Sequence, residues 1–379
     1  MLYVTNTSEY FISHRSHLAL AAQARGFEVH VATPDGEAVP AIRALGFQFH
    51  PMVLSRRGLN PFAEWATLRQ FIRLFREVKP TIVHNLTIKP MIYGGLAARR
   101  TKVPCLVQAV TGLGHVFIAT GPKAKAARIA VVSAYRVAFR HPNRAVIFQN
   151  PDDQATLIAT GAVDADDSVL IRGSGVDLTL FHPLPEPSGA TTVIFASRLI
   201  WPKGVREFVE AARLLKSRGS EVRMVLVGEP DPGNPASISR SDLEGWIREG
   251  VVEAWGFRKD MVEVFRQCHV VCLPSVYGEG VPRVLIEAAA CSRPIVTTDA
   301  PGCREIVQDG RNGILVPAKD VAALADAIER LAGDFVLRQT MGKEGRALAE
   351  SEFSLDSVIA RTLAVYDRLL ANAGIRADS

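Results

Sequence analysis

Strand-like and helical sequence patterns alternate along the whole chain, with one break after which the series starts again. The strand-like runs of the first series include Leu2–Thr5, Phe27–Thr33, Thr81–Leu86, Pro104–Val110 and Arg144–Phe148. Helical patterns such as His14–Arg25 and Pro61–Val78 lie between these runs. Regular alternation of this kind predicts a parallel sheet with helices on both faces.

The break in the series divides the chain into two parts. It falls at the glycine-rich Arg172–Asp177 and the proline-rich Pro183–Pro187, and a new series starts at Thr192. A chain of 379 residues is long for one core and suits two. We therefore predict an α/β fold in which two Rossmann-like domains face each other across a cleft. The expected segments are domains at 1–172 and 191–353, a hinge at 173–190 and a final helical segment at 354–379.

We expect neither an export signal nor a membrane-spanning segment. No apolar run approaches the ~20 residues that a membrane-spanning helix needs. The first residues, Met1–Asn6, already form a strand-like run, so we expect no secretion signal and a cytoplasmic location. The five cysteines are odd in number and no C-x-x-C occurs, so we expect buried reduced thiols rather than a zinc site.

Two carboxylates eight residues apart, Glu279 and Glu287, follow the apolar strand candidate His269–Pro274. Glycines flank Glu279, which predicts a tight loop, and Pro282 fits the first position of a helix that carries Glu287 on its second turn. Ligands of open α/β sheets bind at the carboxyl ends of strands. The loop and the helix start would offer a carboxylate, backbone N–H groups and a positive dipole end to one ligand. A ligand with hydroxyls and phosphates matches that set, although solvated charges at a helix start are the simpler alternative.

A basic pair, Arg198 and Lys203, occupies a similar position after the apolar strand candidate Val193–Ala196 and before the helical pattern Val205–Lys216. Arginine offers a planar fork for two phosphate oxygens, and lysine offers a point charge. Taken alone, the pair would be read as two surface cations. Together with the glutamate pair, it favours a diphosphate-binding site.

These motifs resemble those of the retaining glycosyltransferases of the GT-B class known as glycosyltransferase family 4. Glu279 and Glu287 match the E-x7-E motif of that family, and Arg198 and Lys203 match its basic pair. The run Gly173–Asp177, followed by Phe181 and Pro183, is similar to the hinge of such enzymes. The runs Thr87–Pro90 with Tyr93-Gly94, Thr111–Gly114 and Gln149–Asp153 resemble a bacterial subgroup that builds surface polysaccharides and lipid-linked oligosaccharides.

The resemblance implies that the second domain binds a nucleoside-diphosphate sugar, with UDP favoured as the nucleotide. Arg198 and Lys203 would neutralise the leaving diphosphate, Glu287 would accept hydrogen bonds from the ribose, and Glu279 would hold hydroxyls of the transferred sugar, which we expect to be an N-acetylhexosamine. The other donor-binding candidates are Ser197, Gly204, Trp255, Phe257, Arg258, Gly280 and Val281.

The first domain is expected to bind the acceptor, which in the subgroup is a polyprenyl-diphosphate-linked saccharide. The acceptor-binding candidates are Glu9, His14, Arg15, Asn85, Lys89, Gly112 and Gly114. His115 is a further catalytic candidate, because glycines precede it and family members often place a polar residue there near the donor sugar. A structural or exposed histidine remains the alternative. In the family, the last helix, Leu355–Ala373 in this chain, crosses back onto the first domain.

Charge is distributed unevenly, because the segment from Val78 to Pro151 holds eleven Lys or Arg residues and no Asp or Glu. A basic surface suits an anionic acceptor, an anionic membrane or a nucleic acid. The amphipathic stretches Phe62–Arg76 and Ala124–Arg140 match helices that lie on a membrane, although packing on the domain's own sheet is the alternative. We expect peripheral association with the anionic inner face of the cell membrane. Aromatic residues amount to 7% and no recognition motif is visible, which disfavours nucleic acid.

The scarcity of carboxylates also bears on the mechanism. A double displacement needs a carboxylate nucleophile. Much of the first domain's expected cleft-facing sequence has none, which leaves Glu9, Asp35 and Glu37 as weak candidates. We therefore expect transfer on one face of the sugar, with the departing phosphate oxygen taking the acceptor's proton. We expect no cofactor and no metal requirement, because Arg198 and Lys203 supply the positive charge. A nucleotide-sugar epimerase of the same fold and a non-catalytic nucleic-acid-binding protein remain the alternatives.

Overall fold

The computed structural model describes residues 1–54, 61–114, 117 and 121–375. The chain divides into two compact units. The first unit consists of Met1–Ser174 and Asp356–Ser379, and the second of Gly175–Leu355. Within the described residues, none of the helices is both long enough and apolar enough to span a membrane.

The first unit is built on a seven-stranded parallel sheet. Its strands are β1 (Leu2–Val4), β2 (His30–Thr33), β3 (Gln48–Pro51), β4 (Ile82–Leu86), β5 (Cys105–Val110), β6 (Arg144–Phe148) and β7 (Ser168–Leu170). Its helices are α1 (Ser8–Ala24), α2 (Val39–Ala44), α3 (Pro61–Val78), α4 (Ile88–Thr101), α5 (Pro122–Ala138), α6 (Pro151–Ala159) and, from the end of the chain, α14 (Leu355–Asn372). The strand order is β3-β2-β1-β4-β5-β6-β7, so the order reverses between β1 and β4.

The last helix, α14, contributes to the core of the first unit. Its Tyr366 is fully buried, and the Tyr366 hydroxyl lies 2.6 Å from Nδ1 of His84 on β4 and 3.3 Å from the hydroxyl of Tyr3 on β1. Burial, together with the charge of Arg15, holds the pKa of His84 well below its ordinary value. The imidazole is therefore a neutral part of the sheet.

The second unit repeats the design with a six-stranded parallel sheet of strand order β10-β9-β8-β11-β12-β13. The strands are β8 (Thr192–Ala196), β9 (Arg223–Val227), β10 (Glu253–Gly256), β11 (Val270–Leu273), β12 (Ile295–Thr298) and β13 (Gly313–Val316). The helices are α7 (Val205–Ser217), α8 (Arg240–Arg248), α9 (Met261–Arg266), α10 (Arg283–Ala290), α11 (Cys303–Ile306), α12 (Val321–Gly333) and α13 (Phe335–Glu352). Two Rossmann-like α/β units are thus confirmed. In this sheet the order reverses between β8 and β11.

Several boundaries differ from the predicted ones. Helix α1 begins at Ser8 rather than His14, because the Thr7 side chain caps it by accepting a 3.1 Å hydrogen bond from the backbone N–H of Tyr10. Pro282 is not the first residue of α10 but its extended cap residue, with φ −63° and ψ 120°. Both differences depend on capping geometry, to which the periodicity of apolar residues is insensitive.

Of the segment 173–190, which was expected as a hinge, residues 175–190 pack within the second unit. Leu184 is buried in its core, and its carbonyl accepts a 3.0 Å hydrogen bond from Arg293. Glu186 forms a 2.9 Å ion pair with Arg338, and both side chains are almost fully buried. These contacts fix the segment to the body of the unit.

Candidate functional site

A cavity of about 430 Å³ opens at the carboxyl ends of β8 and β9 in the second unit. Ligands of open α/β sheets bind where the strand order reverses, and β8 is one of the two strands at that point. The donor-binding candidates that line the cavity are Ser197, Arg198, Phe257, Arg258 and Glu287. The structure therefore brings together side chains that are up to 90 residues apart in the sequence.

Lys203 and Glu279 form an ion pair between the loops that follow β8 and β11. Their side chains are only 13% and 12% exposed. The Ser275 hydroxyl donates a 2.7 Å hydrogen bond to the other oxygen of Glu279. Burial lowers the pKa of Lys203, but Glu279 and Tyr277 raise it and the net shift is upward. Lys203 is therefore a permanent cation that is held at a fixed point.

Gly204 makes this ion pair possible by letting the two loops touch. Its φ is +83°, and a Cβ at this position would lie 1.9 Å from the carbonyl oxygen of Pro274. The backbone N–H of Val276 donates a 2.9 Å hydrogen bond to the carbonyl of Pro202 across the same junction. Gly204 was expected to line the ligand crevice. The structure gives it a packing role instead.

Tyr277 lies beside the buried ion pair, with its ring centroid 5.9 Å from Nζ of Lys203. Burial raises the pKa of Tyr277, while the charges of Lys203 and Arg198 both act to lower it. Arg198 itself is 58% exposed and donates a 2.9 Å hydrogen bond to Asp231.

Glu287 lies on the second turn of α10, as predicted, and its side chain is 8% exposed. Arg283, one turn earlier, donates a 2.7 Å hydrogen bond to it. Burial raises the pKa of Glu287 above its ordinary value, and Arg283 acts in the opposite direction. The carboxylate has been placed at the cavity wall at an energetic cost, which is typical of ligand-binding positions.

The other donor-binding candidates differ in their surroundings. Phe257 is 65% exposed at the cavity, and Arg258 is paired with Asp260 at 2.7 Å. Trp255 and Val281 pack against the hydrophobic core rather than lining the cavity. Gly280 belongs to the backbone turn between Glu279 and α10, where its carbonyl would lie 1.9 Å from a Cβ at position 302.

Several residues that line the cavity were not predicted from the sequence. Asp231 and Glu229 line the cavity from the loop after β9, and Met261 lines it from α9. The run Gly228-Glu229-Pro230 directly after an apolar strand was the available signal. Within the described residues, no group of three or more His, Cys, Asp or Glu side chains is arranged to hold a metal ion.

In the first unit, α1 carries three of the acceptor-binding candidates. Glu9 accepts a 2.9 Å hydrogen bond from Ser8, and backbone N–H groups of the loop after β2 also bond to it. Burial raises the pKa of Glu9, but these hydrogen bonds lower it by more, so the net shift is downward. Through the same hydrogen bonds, Glu9 anchors the loop after β2. His14 stacks on Tyr10 with centroids 4.5 Å apart. Arg15 is only 7% exposed, and its Nε has no hydrogen-bond partner among the described residues.

The remaining candidates of the first unit occupy other positions. Asn85 is fully buried on β4 beneath Gly94 of α4, which does not fit the predicted direct contact with an acceptor. Lys89 forms a 2.7 Å ion pair with Glu64 of α3, a residue that the sequence analysis did not single out. Gly112 and Gly114 both have positive φ, at 121° and 72°. His115 lies outside the described residues.

Known families match both units. Residues 190–334 match the family described as "Glycosyl transferases group 1", and residues 1–150 match the family described as "Glycosyl transferase 4-like". Both units belong to glycosyltransferase families. The family resemblance inferred from the glutamate and basic pairs is thereby confirmed.

Curated relatives and solved structures agree with this assignment. The chain is 29% identical to the N,N'-diacetylbacillosaminyl-diphospho-undecaprenol alpha-1,3-N-acetylgalactosaminyltransferase of Campylobacter jejuni, over 96% of this chain and 99% of that protein. It is 24% identical to the capsular polysaccharide biosynthesis glycosyltransferase CapM of Staphylococcus aureus, over 91% of each.

Among solved structures, HepE from Anabaena in complex with UDP aligns with a TM-score of 0.77 at 20% identity, covering 97% of this chain and 99% of that one. The sucrose-phosphate synthase of Thermosynechococcus elongatus aligns with a TM-score of 0.80 at 20% identity, covering 98% and 99%. These likenesses confirm the GT-B fold.

The close approach at Gly204 predicts a large effect of a single added methyl group. Gly204→Ala combines an unfavourable positive φ with a clash against the Pro274 carbonyl, so we expect a loss of about 2–5 kcal/mol in the free energy of unfolding. Gly219→Ala is the matched control, because its φ is +77° and nothing lies within 4 Å of the added Cβ. The control should lose only about 1–2 kcal/mol. Equal urea midpoints for the two variants would contradict the packing role.

Proposed function

We propose that this glycosyltransferase is a retaining hexosyltransferase that transfers a sugar, an N-acetylhexosamine in our proposal, from a UDP-sugar to a polyprenyl-diphosphate-linked saccharide. Two observations carry the proposal: the buried Lys203–Glu279 pair between the loops after β8 and β11, and the cavity at the end of β8 that Arg198 and Glu287 line. Two supports come from related proteins. HepE, of the same fold, was solved with UDP, and the name of the Campylobacter relative describes a lipid-diphosphate-linked acceptor.

The donor would occupy the second unit with its charged and polar parts matched to these side chains. Glu287 would accept hydrogen bonds from the ribose, and the uracil would lie near the exposed ring of Phe257. The diphosphate would bind Arg198 and Lys203, and the sugar hydroxyls would bind Glu279. Lys203 and Glu279 are already adjacent, so one ligand can engage both when its phosphate and its sugar are neighbours.

We propose that catalysis rests on stabilising the leaving diphosphate. Lys203 is charged, held in place by a carboxylate and largely removed from water, which are the conditions under which a fixed charge stabilises developing negative charge most strongly. The anomeric bond would break on the same face on which the acceptor hydroxyl attacks, and that hydroxyl would pass its proton to the departing phosphate oxygen. Neither a metal ion nor a cofactor has a role in this proposal.

Acceptor binding is assigned to the first unit, where Arg15 is the candidate with the best physical support. A buried guanidinium with an unsatisfied Nε carries a desolvation cost that an anionic group would offset. We propose that it binds a phosphate of the acceptor. Lys89 is already neutralised by Glu64, so its role is secondary.

Peripheral binding to an anionic inner membrane leaflet is the second part of the proposal. On α3, Phe62 is 84% and Trp65 is 56% exposed, and the Arg69 guanidinium lies 3.9 Å from the centroid of the Trp65 ring. On α5, Ile129 is 59% exposed among basic residues. Exposed apolar side chains combined with cations are the composition of helices that lie in a lipid interface.

Transfer from a panel of radiolabelled nucleotide sugars to polyprenyl-diphosphate-linked saccharides tests the reaction. We expect labelled lipid with a UDP-sugar, with the anomeric configuration retained and with the rate unchanged in EDTA. Epimerised sugar formed without any acceptor would favour the epimerase alternative. Complete loss of transfer in EDTA would contradict the metal-independent mechanism, and salt-sensitive binding of duplex DNA without UDP-sugar binding would favour the nucleic-acid alternative.

Lys203→Ala should lower kcat by roughly 10²–10³, comparable to the loss of one oxyanion donor. Lys216→Ala is the matched control, because Lys216 is exposed on α7 and donates hydrogen bonds to the backbone carbonyls of Glu249 and Gly250. The control should keep the parent kcat. Near-normal turnover of Lys203→Ala would refute the leaving-group assignment.

Replacing Phe62 and Trp65 by serine should weaken binding to phosphatidylglycerol vesicles by roughly tenfold for each residue, because each loses apolar surface that lipid would bury. Phe335→Ser, also at an exposed apolar side chain but in the second unit, is the control. Vesicle flotation measures the effect. Unchanged flotation of the α3 variants would show that this helix face does not contact lipid.

A further inference from the structure

We infer that Asp231 is an internal counter-ion of Arg198 that competes with the ligand's diphosphate and favours release of the nucleoside-diphosphate product over retention. The inference rests on the proposed function, because it concerns the same cavity. It assigns a role to a residue that neither the E-x7-E motif nor the basic pair includes.

The site is neutralised by its own carboxylates. Arg198 is paired with Asp231 at 2.9 Å, and Lys203 is paired with Glu279. The two other arginines named above for the site are also paired, at 2.7 Å each: Arg258 with Asp260 and Arg283 with Glu287. A ligand that brings a diphosphate must therefore exchange existing ion pairs for new ones.

Asp231 is held opposite Arg198 by backbone structure rather than by chance contact. Its backbone N–H donates a 2.8 Å hydrogen bond to the Ser237 hydroxyl. The loop that it belongs to is hydrogen-bonded along the loop after β8, with Trp201 N–H donating to the Ala236 carbonyl at 2.9 Å. The carboxylate is 22% exposed and lines the cavity. When the diphosphate takes Arg198, Asp231 therefore cannot retreat far.

The Arg198–Asp231 ion pair is weak enough for a ligand to displace Asp231 reversibly. An ion pair as exposed as Arg198–Asp231 is worth little, so a diphosphate that offers several charged oxygens displaces Asp231 from the arginine. The displaced carboxylate then faces the ligand as a like charge. Asp231 therefore weakens binding of every diphosphate ligand without preventing it.

The repulsion from Asp231 is larger for the nucleoside-diphosphate product than for the nucleotide-sugar donor. In a nucleoside-diphosphate sugar, the second phosphate is esterified and carries one negative charge. After transfer that phosphate is terminal, and a terminal phosphate carries about −1.5 to −2 charges at pH 7. Repulsion from Asp231 therefore rises when the glycosidic bond to the diphosphate breaks, which favours departure of the product.

Asp231→Asn tests this role, because it removes the charge and preserves the shape. Calorimetric titration with UDP should show an affinity about fivefold tighter than that of the parent, and the KM for the donor should fall by a smaller factor. The gain should shrink at high salt. Asp326→Asn is the matched control, since Asp326 lies on the surface helix α12 as an exposed partner of Arg218 at 2.7 Å, and the variant should leave UDP affinity unchanged.

A second comparison links the effect to Arg198. In an Arg198→Gln background, Asp231→Asn should still tighten UDP binding, because the variant removes the repulsion between Asp231 and the diphosphate. The gain should be smaller than in the parent, because no Arg198–Asp231 ion pair has to be broken there. Asp231→Ser also removes the charge and should tighten UDP binding in the same way. Thermal unfolding of both variants shows whether they are folded. Unchanged or weaker UDP affinity in folded Asp231→Asn would overturn the inference while leaving the donor site intact. Failure of the parent protein to bind UDP would overturn the proposed function and this inference together.

Discussion

The ion pair between Lys203 and Glu279 is the interaction on which the proposed donor site depends. It joins the loops that follow β8 and β11, the two strands between which the sheet order reverses. Each partner would be costly to bury alone, and their pairing, with Ser275 bonded to the second carboxylate oxygen, compensates much of that cost. The pair thereby holds one positive and one negative group side by side, where a phosphate and a sugar hydroxyl can replace their mutual contact.

Backbone geometry supports this pair. Gly204 adopts a left-handed conformation and allows the carbonyl of Pro274 to approach where any side chain would clash. At the end of the neighbouring strand, Gly228 lets the loop after β9 approach the Ser197 carbonyl in the same way. Lys203 and Glu279 are consequently held at fixed points by the loops at two strand ends. Fixed charges of this kind need little reorganisation when negative charge develops on a leaving group.

The α/β fold and several of the side chains that line the second-unit cavity could be predicted because their signals are local. Apolar runs, glycines and prolines mark the strand ends, and the residues that follow strand ends form the site in parallel sheets. What could not be predicted depends on tertiary packing. Trp255 packs inward while Phe257, two residues later, faces the cavity. Asp231 lies opposite Arg198 because its loop is hydrogen-bonded to the loop after β8, a contact between segments distant in sequence.

The first unit shows the same limit more strongly. Asn85 follows the pattern of a polar residue near a strand end, yet it lies beneath α4, because Gly94 leaves room for it there. Arg15 lies in the middle of α1, whose predicted start at His14 was six residues too late. The residues next to Arg15 in the sequence do not indicate that its side chain is buried. Helix capping and close helix–sheet packing decided both outcomes, and neither leaves a periodic signal in the sequence.

A structure of the protein crystallised with UDP tests most directly whether Lys203 and Arg198 bind the diphosphate. We expect diphosphate oxygens within about 2.7–3.2 Å of Lys203 Nζ and of the Arg198 guanidinium, with the ribose hydroxyls at Glu287. A UDP molecule bound elsewhere, or one whose diphosphate contacts neither cation while the Lys203–Glu279 pair stays closed, would contradict it.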